Sequence, residues 1–180
     1  FAAMANGGHR VTPHVVGAVN GQAVPVAPGA TVLSSAVSAQ LRDLMTHVVT
    51  SVSYYHAGTY IPGYTVAGKT GTAQIWDSQT NDWVPNTFDF SFAGYVGTSG
   101  PQAIIVVRLD HVKPKVLAQG QFQLAITSYQ LFRRAAQDTI VALDLPPQTG
   151  GTASPAPTVP AHQQPGLPQV PDVPPPAGQP

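Results

Sequence analysis

Apolar side chains recur at Val37, Leu41, Leu44, Met45, Val48 and Val52. That spacing keeps returning to one helix face and predicts a helix over 35–52, capped by Ser34 or Ser35. A second helical period runs through Phe122, Ile126, Tyr129, Phe132, Ala136, Ile140 and Leu143 and predicts a long closing helix. Between the two, the period drops to two residues. Tyr64 to Lys69 alternates with β-branched residues and reads as a strand, and Phe88, Phe90, Phe92, Gly94 and Val96 share one face of a second. Ala103 to Leu109 is a continuous apolar run but for Arg108, and it reads as a buried central strand. The polar stretch 74–86, with Asp77, Asn81, Asp82 and Pro85, predicts a surface hairpin loop. The chain opens on Phe-Ala-Ala-Met-Ala with no cap before it; this reads as a helix interior and predicts a piece of a longer protein.

Strands grouped together with helices at both ends predict an α+β architecture, and short links between successive strands predict antiparallel pairing. The composition changes near Pro146: twelve of the 19 prolines fall in 146–180, where Asp172 is the only charged residue and no aromatic occurs. Such a segment buries too little apolar surface to offset its ordering entropy. The expected organisation is therefore a folded part over 1–145 and a disordered, extended proline-rich tail over 146–180. Pro171 to Pro174 forms a P-x-x-P ligand pattern, but a spacer is the favoured reading in so proline-rich a tail.

Charge narrows the function classes. The net charge is +0, charged residues make up 9%, and every acid is Asp, so the basic field that a nucleic acid backbone requires is absent. Cysteine is absent, and the six histidines fall into no compact ligand spacing, so no metal site and no cofactor are expected. Neither a signal peptide nor a membrane span is visible. Trp76 and Trp83 flank the predicted loop as hairpin packing or as a roof over a cleft; Tyr54 and Tyr55 read as pins in a linker before Pro62; Arg133 and Arg134 read as a solvated helix face.

One stretch, Ile61-Pro-Gly-Tyr-Thr-Val-Ala-Gly-Lys-Thr-Gly-Thr-Ala-Gln74, fits two unrelated chemistries. Gly63, Gly68, Lys69 and Thr70 match the phosphate-loop pattern G-x-x-x-x-G-K-[ST]. That chemistry needs a buried strand, a wrapped loop and a helix starting at the Lys. Tyr-Thr-Val-Ala prefers extended structure, and Gly71 is costly in a helix's first turns. A nucleotide-binding protein is thus a remote alternative. Lys69-Thr70-Gly71 also spells the K-T-G box of serine enzymes that handle penicillin. This box needs Lys on a strand lining a cleft, a hydroxyl beside it, and Gly where backbone approaches a ligand. By strand alternation Lys69 and Gly71 share one face and Thr70 and Thr72 the other, unless the strand bulges.

Pro62 to Gln74, together with Ala5-Asn-Gly-Gly8 and Pro13, the helix containing Leu41-Arg-Asp-Leu-Met, and Ser91-Phe-Ala-Gly-Tyr95 followed by the Ile104–Leu109 run, resembles the penicillin-binding proteins, the peptidoglycan transpeptidases. The likeness spans roughly 1–143 and fits the class B branch. It implies part of a penicillin-binding/serine β-lactamase-like fold, with an antiparallel sheet packed with helices. It implies serine-type D,D-transpeptidase activity in the full protein, on the extracytoplasmic side of a bacterial cell membrane. The partners implied are D-Ala-D-Ala stem peptides and β-lactams, with cell division or elongation proteins besides. Lys69 and Thr72 are the implied catalytic residues: Lys69 keeps the cleft positive, and the Thr72 N–H contributes to an oxyanion hole. Thr70, Gly71 and Thr72 are the implied substrate-binding residues. No Ser in the chain has Lys three residues on or Asn two residues on, so the S-x-x-K and S-x-N boxes are expected before Phe1 and the isolated chain is expected to be inactive. A non-catalytic scaffold or sensor with the same fold is the alternative. Leu117-Ala-Gln-Gly-Gln-Phe122 departs from the Gly-Gly segment usual before the family's last helix.

Overall fold

A computed structural model describes residues 1–27, 29–117 and 122–148. In chain order the elements are α1 (Ala2–Ala5), β1 (Ala18–Val19), β2 (Gln22–Ala23), α2 (Ser35–Ser51), α3 (Ser53–Thr59), β3 (Thr65–Asp77), β4 (Asp82–Gly97), β5 (Ala103–Val112), β6 (Lys115–Val116), β7 (Phe122–Gln123) and α4 (Ser128–Ala142). The main sheet is antiparallel with the order β3-β4-β5, and β1-β2 and β6-β7 form small antiparallel pairs. The α+β expectation holds.

The two long helices, α2 and α4, start where a side chain can satisfy their orphan N–H groups. Ser34 Oγ accepts the Val37 N–H at 3.2 Å and opens α2. Thr127 and Gln130 form a reciprocal capping box, which fixes the start of α4 at Ser128 and not at Phe122. Phe122 instead lies in β7, with its ring 4.7 Å from Phe88 and 5.8 Å from Phe90. Val49 of α2, Ile61, Val66 of β3, Phe92 and Val96 of β4, and Phe132, Ala136 and Ile140 of α4 form one buried cluster. At its centre the fully buried rings of Phe92 and Phe132 lie 4.7 Å apart. On the other face of β4, the Tyr95 hydroxyl lies 3.1 Å from Thr46 Oγ1 and donates to the Arg42 carbonyl, which ties α2 to the sheet.

Besides the start of α4, four expectations change. First, β4 is the central strand, whereas β5 is the edge among the described residues. The burial of β5 alternates, and Ile104 and Val106 are exposed although Ala103 to Val107 is apolar throughout. Second, most of 74–86 is not loop, because β3 and β4 run on through it to a turn at 78–81. Both faces of this ribbon meet water, so no apolar period marks it. It is held instead by Trp76 edge-on to Trp83 at 5.1 Å, and by Asp77, whose carboxylate accepts the Gln79 N–H and the Thr80 hydroxyl. Third, Tyr54 and Tyr55 lie in helix α3, not in a linker. Fourth, Arg133 is half-buried, and its Nε finds no hydrogen-bond partner among the described residues, while Arg134 is exposed.

The region of the expected tail lies outside the described residues beyond Gln148, as does most of the departure at 117–122. Before that limit the chain is anchored: Tyr64 Oη donates to the Leu145 carbonyl at 2.6 Å, and the Gln148 N–H donates to the Gly63 carbonyl at 2.9 Å. Gly63 has φ +81°, so it is a turn glycine after Pro62.

The β3–β4 register is unbroken from Thr65↔Gly97 to Gln74↔Phe88, so the box carries no bulge. Lys69 pairs with Ala93, Thr70 with Phe92, Gly71 with Ser91 and Thr72 with Phe90. A Cβ on Gly71 would lie 2.6 Å from Ser91 Oγ but 4.0 Å from Ser91 Cβ. The close contact is therefore with the neighbouring strand's hydroxyl and not with its backbone. Gly71→Ala is expected to cost about 1–3 kcal/mol through overpacking, and adding Ser91→Ala, which leaves only the 4.0 Å contact, should recover most of that loss in urea unfolding. In the core, Phe132→Ala is expected to cost about 3–5 kcal/mol in the same measurement.

Candidate active site

Strand β3 passes straight through Gly68-Lys69-Thr70 and continues to Asp77. No wrapped loop and no helix begins at Lys69, so the phosphate-loop reading falls. The same strand places the K-T-G residues as alternation requires. Lys69 and Gly71 lie on the face of Ala93 and Ser91, and Thr70 and Thr72 lie on the face of Phe92 and Phe90. Lys69 and Thr72 are exposed; Thr70 and Gly71 are half-buried.

Lys69 Nζ donates to Thr70 Oγ1 at 3.1 Å and to the Thr70 carbonyl at 3.2 Å. Two residues of one strand thus bring an ammonium and a hydroxyl together although they start on opposite faces, because the long Lys side chain folds over the strand edge. Among the described residues β3 is paired on one side only, by β4. Alternate backbone N–H groups of the box therefore point away from the sheet, as an oxyanion-binding strand needs.

The box is supported from behind by α3. Tyr55 is buried, and its hydroxyl lies 2.6 Å from Thr70 Oγ1. The Tyr55 ring packs against Tyr54, Tyr129 and Phe92 at centroid distances of 4.4, 5.4 and 6.5 Å. Burial first, then the neighbouring Tyr55, push the Tyr54 hydroxyl above the ordinary phenol range. Sequence reasoning assigned Tyr55 only to a linker. Its i, i+4 relation to Thr59, whose hydroxyl donates to the Tyr55 carbonyl at 2.7 Å, was the available helical signal.

Charge elsewhere on the sheet is self-contained. Arg108 reaches Asp89 and Asp110 at 2.5 Å each, and His111 Nδ1 lies 3.0 Å from Asp110. The Asp89 carboxyl is held below the usual carboxylate range, first by the His111 backbone N–H and then by Arg108. Asp89, Asp110 and His111 bring ligand atoms within 4.8 Å of one another. Arg108 already bridges both carboxylates and supplies their counter-charge, so these residues form an ion-pair network. Lys69 takes part in none of the ion pairs among the described residues. Of the histidines, His47 contacts Ser51, His56 stacks on Tyr60 and His9 meets Thr31, while His162 lies outside the described residues.

The sequence profile of the penicillin binding protein transpeptidase domain matches residues 1–132. Penicillin-binding protein PbpB of Mycobacterium tuberculosis (strain ATCC 25618 / H37Rv) is 30% identical over 127 residues, which covers 62% of this chain and 18% of that protein. Among solved structures, penicillin binding protein 3 of the same genus, complexed with ampicillin, superposes with a TM-score of 0.63 at 24% identity, over 86% of this chain and 35% of that one. The apo transpeptidase domain of Burkholderia pseudomallei penicillin-binding protein 3 gives 0.62 at 24% identity, over 82% and 41%. The chain therefore spans less than half the length of each of these relatives. With the profile covering residues 1–132 and the sheet, helices and box arranged as described, the chain belongs to the penicillin-binding protein transpeptidase domain family.

Proposed function

We propose that this chain supplies the K-T-G wall of a class B peptidoglycan D,D-transpeptidase, and that the serine nucleophile with its S-x-x-K and S-x-N boxes comes from another part of the same protein. The observation that carries this reading is the pairing of Lys69 Nζ with Thr70 Oγ1, at 3.1 Å, on an outer strand next to a glycine hemmed in by Ser91. The serine hydroxyl attacks the carbonyl of the penultimate D-Ala of a stem peptide, the C–N bond breaks, and the terminal D-Ala leaves with the proton. An amine of a second stem peptide then attacks the acyl-enzyme and returns the serine. Lys69 holds the cleft positive for the terminal carboxylate and supports proton transfer at the serine. The Thr70 and Thr72 hydroxyls bind that carboxylate, and the Thr72 N–H is an oxyanion-hole donor, a role worth about 3 kcal/mol in comparable sites.

A β-lactam enters the same site as a strained copy of the D-Ala-D-Ala end. The ampicillin complex of a structural neighbour supports this, as that protein shares the fold around the box. A stem-peptide substrate places the domain on the extracytoplasmic side of a bacterial cell membrane, with division or elongation proteins as partners. Among the described residues no helix is long and apolar enough to cross a membrane.

Fluorescent penicillin tests the assignment. The full-length protein is expected to form a covalent adduct, and Lys69→Ala to slow adduct formation by roughly 100-fold, the scale of losing a charged group that stabilises the transition state. The isolated 180-residue chain should form none. A stable adduct on that chain would show that the nucleophile lies within it.

A further inference from the structure

An ammonium and a phenol meet at one hydroxyl oxygen. Thr70 Oγ1 lies 3.1 Å from Lys69 Nζ and 2.6 Å from Tyr55 Oη. An ammonium can only donate, so it takes one of the two lone pairs on the Thr70 oxygen. A phenol is a stronger donor and a poorer acceptor than an aliphatic hydroxyl, so in the Tyr55–Thr70 pair the tyrosine O–H donates. Both lone pairs of Thr70 are then filled, and its own proton has one direction left, away from Lys69 and Tyr55. Thr70 becomes a pure donor.

The tyrosine is held for this task. Its ring is buried and wedged among Tyr54, Tyr129 and Phe92. Tyr129 belongs to α4 and Phe92 to β4, so the phenol is fixed by the core that fixes the sheet.

We infer that Tyr55 is a positioning residue that sets the polarity of the Thr70 hydroxyl, so that Thr70 donates to the carboxylate of a stem peptide or penicillin and cannot turn to accept. Tyr55 acts through Thr70 and needs no contact with the substrate. The inference rests on the acyl-transfer reading above.

The test uses the full-length protein with two probes, benzylpenicillin and its neutral methyl ester, and the variants Tyr55→Phe, Thr70→Val and their combination. Tyr55→Phe keeps the ring and its aromatic contacts, so its thermal midpoint should match wild type. Its acylation rate by benzylpenicillin should fall about tenfold, the scale of one lost hydrogen bond at a charge-binding oxygen. The fall should appear in the concentration dependence, as weaker binding of the acid, more than in the maximal rate. Against the ester, and in the Thr70→Val background, Tyr55→Phe should change the rate by less than about twofold, because the hydroxyl it orients has lost its partner or is gone. An unchanged rate with the acid in Tyr55→Phe overturns the inference. So does an equal loss against acid, ester and in the Thr70→Val background, since that is the mark of a merely structural residue. A wild-type protein that neither penicillin acylates overturns the acyl-transfer reading itself, and the inference with it.

Discussion

The register of β3 against β4 is the constraint on which the site depends. Side chains alternate along a strand, so a slip of one residue would carry Lys69 to the face of Phe92 and turn Thr70 out to water. The ladder excludes this slip by sheer length: ten consecutive pairs run from Thr65↔Gly97 to Gln74↔Phe88 without a bulge. Irregularities occur only beyond the box, where the register shifts between Gln74 and Trp76. The core enforces the same choice. Val66, Phe92 and Val96 must point toward Phe132 and Ile140, and once they do, the face of Lys69 is determined.

The helices convert that register into a rigid support. α4 holds the sheet from the Phe92 side through Phe132, and α2 holds β4 from the other through the Tyr95 contact with Thr46. α3, between α2 and the box, delivers Tyr55 to Thr70. The anchor at the far end, Tyr64 to Leu145 and Gly63 to Gln148, fixes the entry to β3 just before the box begins. Strand β3 is thus held at its start, its middle and its turn, while its outer edge stays without a strand partner among the described residues.

How much of this was legible follows from where each segment meets water. α2 and β4 were legible as elements because their apolar positions keep a period, although Val37 and Leu44 of that period are exposed and β4 also buries Tyr95 on its second face against α2. Ala103 to Leu109 misled. Ile104 and Val106 make its second face look apolar too, yet both are exposed, and Arg108 on that same face was the available signal that it meets water. The hairpin ribbon 74–86 has no buried face and left no period; a Trp-Trp pair and an Asp at the turn hold it. Two short-range signals were present but not used: Asn20-Gly21, the turn of β1-β2 with φ of 51° and 79°, and Thr127-x-x-Gln130, the capping box of α4. In the box itself the faces of Lys69, Thr70, Gly71 and Thr72 were readable from alternation. The crowding of Gly71 by Ser91 and the bond from Tyr55 were not, since both partners are distant in sequence.

The charge pattern has a consequence for Lys69. In the role proposed for it, Lys69 holds a substrate carboxylate and so cannot already be neutralised by a carboxylate of the chain. Asp89 lies on the same face of the sheet as Lys69, opposite Ala73 and four positions along the strand from Lys69, about 13 Å away. That is slightly beyond a Debye length of about 8–10 Å at ordinary salt, but the strand between them is not all solvent. Arg108 stands across from Ser91, between the two, and takes the Asp89 charge, and the His111 N–H takes its other oxygen. Lys69 is left with two neutral acceptors, the Thr70 hydroxyl and carbonyl. Neutral acceptors orient an ammonium without cancelling it. The low charge density of this chain, 9% of residues and no Glu, therefore has a local counterpart: the acid nearest the box along its own face is already bound by a cation that is not Lys69.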